Sequence, residues 1–242
     1  MINIYKSQPR LLEMVEDLDK NGIFIIEDYI DTNSLLPLLC IYEKLLKREF
    51  GEQDFLKYES LSPGVMIIMQ RLKASKDFKL INKVFSSNWM NDLSEKFWNS
   101  KVKLNSDIYI GNDLPGTKHV AQDLHFDVKP TLKFFLYLND VNEENGAFTC
   151  VPKSHIITKS IRQTNSRSIS YENRNFTREH KFSSSDEVPV CGKAGTLIVF
   201  STEVFHKAGI VIKNERKIMR GHTRPKEVNR FISKIYSYLG QK

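Results

Sequence analysis

The residues best suited to chemistry in this sequence are two histidines and one aspartate. His125 and Asp127 are separated by one residue and lie directly before the apolar run TLKFFLYL, and His206 follows a second such run, GTLIVFS. Residues i and i+2 of an extended chain point to the same side, so His125 and Asp127 can reach one point. Two imidazoles and one carboxylate on one face of a metal leave positions open, an arrangement that suits Fe(II) and O2 chemistry.

Each part of this pattern also has an ordinary structural interpretation. A histidine near an aspartate is often a surface ion pair, and an isolated His206 would more often be structural than a ligand. The combination favours a metal site because both parts lie beside predicted strands, where the mouth of a barrel would be. The remaining histidines are predicted not to be ligands, namely His119, His155, His180 and His222.

Two arginines after His206 are candidates for binding a carboxylate. A co-substrate with a carboxylate needs a fixed cation, and a guanidinium pairs with a carboxylate through two hydrogen bonds. Arg216 lies one predicted hairpin beyond His206, and Arg220 shares its face by strand periodicity. The alternative is that both are surface arginines of a basic C-terminal region.

One face of the strand TLKFFLYL carries Lys133, Phe135 and Tyr137. If Phe135 points inward, Lys133 and Tyr137 do so as well, and either could bond the carboxylate of a co-substrate. The alternative is that this face is outward and Lys133 is solvated. The apolar neighbours of Lys133 favour the inward arrangement.

The elements that must position these residues change in character near Val102. The preceding part, 1–101, is predicted to be mainly helical with one strand, IFIIEDYI, whereas 102–225 consists of short β-rich runs separated by turn residues. These runs predict an antiparallel sandwich or barrel within one domain. The polar segment 156–189 is predicted to be a lid, with a disordered linker as the alternative, and 226–242 an amphipathic helix.

Composition excludes several classes of function. The 242 residues carry a net charge of +7, which favours anionic partners, although solubility alone would also explain it. There is no dense basic cluster, so a nucleic-acid partner is not expected, and no apolar run long enough to predict a membrane partner. Three cysteines without a CxxC pair and no secretory signal favour the cytoplasm.

The order of these motifs resembles a known family. The stretch AQDLHFDVKPTLKFFLYLNDVNEENGAFTCVPKSH and the later GKAGTLIVFSTEVFHKAGIVIKNERKIMRGHTRP are similar to the phytanoyl-CoA dioxygenase-like (PhyH) branch of Fe(II)/2-oxoglutarate oxygenases. The early NGIFIIEDYID is similar to the family's first strand. The resemblance implies a mainly β fold with packing helices, a double-stranded β-helix or jelly-roll barrel of the cupin-like kind.

The same resemblance implies roles for individual residues. It assigns His125, Asp127 and His206 to iron and Arg216 to the far carboxylate of 2-oxoglutarate, with Arg220 as a lesser candidate. Gln122 matches a recurrent pocket position. The chain departs from the family at two positions: Lys153 replaces a glycine in a structural turn, and Ala208, two residues after His206, replaces a small hydroxyl residue that helps to hold the co-substrate. Because Asp127 is retained, the halogenating variant of this chemistry is not expected.

The expected activity is hydroxylation of a small or carrier-bound metabolite, with 2-oxoglutarate and O2 consumed and succinate and CO2 released. The net charge favours an anionic substrate such as a CoA thioester or a nucleotide sugar. Four arginines of the predicted lid could meet that anion, namely Arg162, Arg167, Arg174 and Arg178. The alternatives are a non-catalytic jelly-roll protein that binds a ligand or metal, and an oxygenase that acts on a macromolecule. The sequence does not indicate an oligomeric state.

Overall fold

Most of the fold is a large sheet faced by a smaller one. The computed structural model describes residues 1–51, 53–70, 78–104, 107–165 and 167–226. The strands are β1 (Asn3–Tyr5), β2 (Ile23–Ile26), β3 (Leu56–Ser60), β4 (Val65–Gln70), β5 (Val102–Leu104), β6 (Asp107–Asp113), β7 (Leu132–Tyr137), β8 (Phe148–Cys150), β9 (Val188–Val190), β10 (Leu197–Ser201), β11 (His206–Lys207) and β12 (Arg216–Pro225).

In the described residues the large sheet has nine strands in the order β1-β2-β10-β7-β12-β6-β4-β3, with β5 also paired to β12. The small sheet has the order β11-β8-β9. All pairings are antiparallel except that of β1 with β2. Two mainly antiparallel sheets that share a core form the mainly β, jelly-roll-like architecture predicted from the sequence.

Strand β7 shows how the two faces of the large sheet are used. Phe134 and Leu136 belong to the core beneath the helices, whereas Phe135 and Tyr137 belong to the core between the two sheets. Successive side chains of a strand point to opposite faces, so a strand buried on both sides must be apolar throughout. This explains why TLKFFLYL is an almost uninterrupted apolar run, and it makes Lys133 an unusual residue for its position.

Helices cover the outer face of the large sheet. They are α1 (Leu11–Asn21), α2 (Thr32–Leu46), α3 (Lys79–Val84) and α4 (Asn88–Trp98). A fifth helix, α5 (His155–Asn165), follows strand β8 of the small sheet in the chain. Asp31 caps α2 by accepting hydrogen bonds from the backbone N–H groups of Asn33 and Ser34. Gly22 ends α1 at φ 76°, a left-handed conformation that favours glycine. Among the described residues, no helix combines the length and apolar character that crossing a membrane would require.

Three sequence predictions need correction or lie outside the described chain. The first hundred residues contain four strands rather than one, because β1 joins β2 and the hairpin β3–β4 extends the sheet beyond β6. The alternative of a disordered linker at 156–189 is wrong, since most of α5 and two short 3-10 turns lie within this segment. The predicted C-terminal helix falls almost entirely on 227–242, outside the described residues.

Candidate metal centre and adjoining chambers

The three predicted ligands meet at one point between the sheets. His125 and His206 are paired as an antiparallel bridge, with backbone N–H···O distances of 3.0 Å and 2.7 Å. Asp127 Oδ1 lies 3.6 Å from His125 Nε2 and 3.8 Å from His206 Nε2. All three ligand atoms lie within 4.8 Å of one another, so a single ion can contact them together.

Backbone carbonyls orient both imidazoles. His125 Nδ1 lies 2.7 Å from the Asp123 carbonyl oxygen, and His206 Nδ1 lies 2.8 Å from that of Val204. A carbonyl can only accept, so each Nδ1 carries the proton and each Nε2 keeps a lone pair for a metal. Burial, aided by the nearby charges of His125 and Lys133, holds the pKa of His206 well below its ordinary value, which keeps that ring neutral.

The two oxygens of Asp127 have different partners. Oδ1 faces the histidines, whereas Oδ2 lies 2.8 Å from Lys133 Nζ. Burial alone would raise the pKa of Asp127, but the Lys133 charge lowers it well below its ordinary value. The carboxylate is therefore ionised and held in one orientation, as a metal ligand requires.

Two chambers adjoin this centre. The inner chamber is lined by His206, Ala208, Arg216, Phe135, Phe148 and Phe200. The outer chamber is lined by Asp127, Tyr109, Tyr171, Arg174, Arg178 and His222. Both are bordered by His119, Ala121, His125, Lys133 and Arg220. The outer chamber is the larger, at about 380 Å³ against about 70 Å³, so it accommodates the bulkier molecule.

Arg216 lies on the wall of the inner chamber and is already partly engaged. Its Nε and Nη2 donate to Asp113 Oδ2 at 3.0 Å and 2.7 Å, and its Nη1 donates to the Gly146 carbonyl. A guanidinium has five N–H donors, so two remain for a ligand in the chamber. The sequence did not single out Asp113, although the register that sets β6 beside β12 places it directly opposite Arg216.

The other predicted pocket residues differ in their surroundings. Lys133 and Phe135 lie on the inward face of β7 and line the inner chamber. The Tyr137 hydroxyl instead donates to the Val190 carbonyl at 2.8 Å and accepts from the Phe148 N–H, so it joins the two sheets rather than lining either chamber. We therefore leave Tyr137 out of the proposed co-substrate site.

Gln122 lines the inner chamber, but its side-chain amide is used locally. Nε2 donates to the Thr117 carbonyl at 2.8 Å and Oε1 accepts from the His119 N–H at 3.2 Å. The Thr117 hydroxyl also lines the chamber and accepts from the Leu114 N–H at 2.9 Å. Its own O–H can still donate, which makes Thr117 a candidate for the hydroxyl that Ala208 does not supply.

The other departure from the family pattern, Lys153 in place of a glycine, concerns backbone conformation. Lys153 adopts φ 70°, in the left-handed region that favours glycine, and its N–H donates to the Asn21 carbonyl at 2.9 Å. Beside this turn, the buried His155 ring lies 3.0 Å from the Asp19 carbonyl. Both observations agree with a structural turn and with a non-ligand role for His155.

Arg162, which the sequence placed in an anion-facing lid, instead braces the candidate metal-binding loop at Asp127 and Val128. It donates from Nη2 to the Asp127 carbonyl at 2.6 Å and from Nη1 to the Val128 carbonyl at 2.8 Å. Its Nε lies 3.3 Å from Glu203 Oε1. Of the other three arginines of this segment, Arg174 and Arg178 line the outer chamber, whereas Arg167 is exposed. His222, stacked on Tyr109 at 4.9 Å between ring centres, is a half-buried residue of the outer chamber that the sequence analysis did not treat as a site residue.

Comparisons with known proteins place this geometry in context. The structure is similar to SnoN, described as a non-heme alpha-ketoglutarate-dependent epimerase from nogalamycin biosynthesis, at TM-score 0.62 and 16% identity over 89% of this chain and 83% of SnoN. SnoN in complex with Fe3+, alpha-ketoglutarate and nogalamycin RO gives TM-score 0.60 and 15% identity, with the same 89% and 83% coverage. AviO1 from Streptomyces viridochromogenes Tue57 gives TM-score 0.58 and 14% identity over 91% of this chain and 97% of AviO1. At such identities these likenesses establish a shared fold.

No curated protein matches the chain in sequence. The profile of the family described as phytanoyl-CoA dioxygenase (PhyH), however, matches residues 47–214, well over half of the chain. That span contains β3 to β11, all three candidate ligands and segment 156–189. The chain belongs to the phytanoyl-CoA dioxygenase (PhyH) family of Fe(II)- and 2-oxoglutarate-dependent oxygenases.

Proposed function

We propose that this protein is an Fe(II)- and 2-oxoglutarate-dependent dioxygenase that hydroxylates a small molecule and releases succinate and CO2. The observation that carries the proposal is the convergence of His125, Asp127 and His206 at the junction of the two chambers. One chamber holds Arg216 with two N–H donors to spare, and the other has room for a substrate.

The donor set fits iron. Two neutral imidazoles and one carboxylate would hold Fe(II) through His125 Nε2, His206 Nε2 and Asp127 Oδ1, with the remaining positions facing the chambers. When bound, iron and 2-oxoglutarate supply the activation of O2 and the oxidising power for breaking a C–H bond. Lys133 keeps Asp127 ionised through its contact with Oδ2 and leaves Oδ1 to the metal.

The chain's own residues bind and orient the co-substrate. In the proposal, the two remaining Arg216 donors hold the far carboxylate of 2-oxoglutarate, and the Thr117 hydroxyl supplements them. Phe135, Phe148 and Phe200 line the inner chamber and keep water from its interior. The amide of Gln122 is engaged with the 117–119 backbone, so we assign it to holding the chamber wall in place.

The outer chamber is the proposed substrate site. Asp127 and His125 line it, so a molecule bound there would lie beside the metal. Tyr171, Arg174 and Arg178 come from segment 156–189, which supports the proposal that this segment acts as a lid over the substrate. A cytoplasmic location stays a prediction, supported by the free thiols of Cys40, Cys150 and Cys191.

The test is anaerobic absorption spectroscopy of the metal-free protein titrated with Fe(II) and then with 2-oxoglutarate. We expect a metal-to-ligand charge-transfer band only when both are present. His206→Ala should abolish the band, whereas the matched control His180→Ala, which changes an exposed histidine, should keep it.

A well-folded protein without the band would contradict the proposal and favour a non-catalytic ligand-binding protein. If the band forms, mass analysis of candidate substrates after turnover decides the reaction outcome. An added oxygen atom on a small molecule is the expected result, and an inverted centre without added oxygen would replace hydroxylation by epimerisation. Oxygen added to a macromolecule would change the substrate class.

A further inference from the structure

The outer chamber has a strongly unbalanced charge. Asp127 is its sole carboxylate lining residue among the described parts of the chain, and that carboxylate already contacts Lys133 at 2.8 Å. Against it stand six basic side chains, namely Lys129, Lys133, Arg174, Arg178, Arg220 and Arg224. A cavity lined by one sign of charge concentrates ligands of the opposite sign.

Arg220 borders both chambers and has few partners within the protein. Its guanidinium carbon lies 4.6 Å from the centre of the Tyr109 ring, and its buried Nε has no hydrogen-bond partner among the described residues. No carboxylate of the described chain lies within ion-pair distance of it, although Asp127 and Asp113 act on it from further away. Buried charges are normally paired, so this position is suited to an anion supplied by a ligand.

Arg216 and Arg220 differ in the chambers that they line. They lie four residues apart on β12, about 13 Å along an extended strand. Arg216 stands opposite Asp113 and lines the inner chamber, whereas Arg220 stands opposite Tyr109 and borders both chambers. Because Arg216 is assigned to the co-substrate carboxylate, Arg220 is available to bind a second anion.

We propose that the outer chamber binds an anionic oxygen group of the substrate, a phosphoryl or carboxylate group, with Arg220 as its main ligand and Arg174 contributing from segment 156–189. This inference rests on the proposed function, because it takes the bound anion to be part of the enzyme's substrate. It narrows the substrate class to anionic molecules. The Tyr109 ring supports the guanidinium from one side, so its donors are held in place before the anion arrives.

The first experiment needs no metal. The rise in Tm of the metal-free protein is measured against inorganic phosphate and, separately, acetate, with sodium chloride holding ionic strength constant. We expect a saturable rise with the wild type, at least tenfold weaker binding in Arg220→Gln, and partial recovery in Arg220→Lys. Arg174→Gln, which changes an exposed residue, should weaken binding without affecting folding. The matched control Arg167→Gln should titrate like the wild type.

Tighter binding of phosphate than of acetate would identify a phosphoryl site, and the reverse order a carboxylate site. Equal titrations for the wild type, Arg220→Gln and Arg167→Gln would overturn the inference, because the anion effect would then come from surface charge.

The second experiment separates Arg220 from the co-substrate. The affinity for 2-oxoglutarate is read from the charge-transfer band in Arg216→Gln and Arg220→Gln. We expect a loss of at least tenfold in the Arg216 variant and a much smaller change in the Arg220 variant. A loss in Arg220→Gln as large as that in Arg216→Gln would assign Arg220 to 2-oxoglutarate and overturn the inference while leaving the proposed function intact. If no protein gives a band, the proposed function fails, and the phosphate comparison still decides the anion site.

Discussion

Asp113 holds Arg216 against the wall of the inner chamber, with its Oδ2 2.7 Å from Nη2 and 3.0 Å from Nε. Both residues are buried, with exposed fractions of 6% for Asp113 and 5% for Arg216. An ion pair in the interior fixes geometry, but removing one partner leaves an uncompensated charge. Asp113 thus keeps the guanidinium in place before a ligand arrives and also weakens the field that the ligand meets.

The first prediction concerns Asp113→Asn, which keeps the shape and removes the charge. We expect the free energy of unfolding of the ligand-free protein to fall by about 2 kcal/mol, because the Arg216 charge loses its partner. The affinity for 2-oxoglutarate should rise roughly fivefold, about 1 kcal/mol, because the competing carboxylate is gone. Urea unfolding and titration of the charge-transfer band measure the two effects.

Asp140→Asn is a suitable control, because Asp140 forms an exposed ion pair with Lys193. Such pairs contribute at most about 1 kcal/mol. Weaker 2-oxoglutarate binding in Asp113→Asn would show that Asp113 acts mainly by orienting Arg216.

The second prediction concerns Arg162, which bonds the carbonyls of Asp127 and Val128. Arg162→Met removes both hydrogen bonds, and we expect the affinity for Fe(II) to fall about 10- to 100-fold, as for other groups that orient metal ligands. Competition with a chelator of known affinity measures the change.

Arg167→Met provides the matched control, since it makes the same substitution at an exposed site of the same segment. Equal affinities in the two variants would mean that the metal-binding loop keeps its shape without the brace.

The third prediction is a dependence of stability on pH through His222. Burial, followed by the charges of Arg220 and Lys133, holds the pKa of His222 well below its ordinary value. In the unfolded chain a histidine has a pKa of about 6.5, so that state takes up a proton that the folded state does not. The contribution of His222 to the free energy of unfolding is therefore fully present above about pH 6.5. As the pH decreases below that value, this contribution is lost, by up to about 1.4 kcal/mol per pH unit.

Urea unfolding of the metal-free protein between about pH 7.5 and about pH 5.5 measures this slope. Over that range the free energy of unfolding of His222→Asn should depend less steeply on pH than that of the wild type. The difference in slope corresponds to at most one proton taken up on unfolding. Parallel curves for the two proteins would show that His222 does not contribute.

The fourth prediction concerns the turn at Lys153, where φ is 70°. A left-handed conformation costs a non-glycine residue about 1–2 kcal/mol, and glycine avoids this cost. The greater freedom of glycine in the unfolded chain offsets about 0.5–1 kcal/mol of the gain. Lys153→Gly should therefore raise the free energy of unfolding by about 0.5–1 kcal/mol in urea titrations.

Asn214→Gly is the comparison, because Asn214 also has a positive φ, at 59°, but asparagine tolerates that region. We expect its effect to be close to zero. A destabilised Lys153→Gly would indicate that contacts of the lysine side chain outweigh the relief of backbone strain.

The pairing of His125 with Asp127 in the candidate metal centre and the inward face of β7 could be predicted from local spacing. His125 and Asp127 share a side of an extended segment because of the two-residue period, and the same period sets Lys133 with Phe135 and Arg216 with Arg220. Strand β3 was missed because Leu56–Ser60 lies at the sheet edge and has no buried apolar face. Strand β4 was missed although Val65–Gln70 is apolar, because the period of a short apolar run does not distinguish a strand from a buried helix segment.

The sequence by itself determined which side chains of one strand point the same way, and therefore which residues could hold a metal. Only the tertiary structure decided that Asp113 faces Arg216, that Arg162 reaches back to the loop at Asp127 and Val128, and that the cations of the outer chamber surround one space. These relations join residues far apart in the chain, and they depend on strand register and on how a helix packs against the sheets. Local periodicity fixes the direction of a side chain, but its partner across the barrel is set by the lowest free energy of the whole packed core.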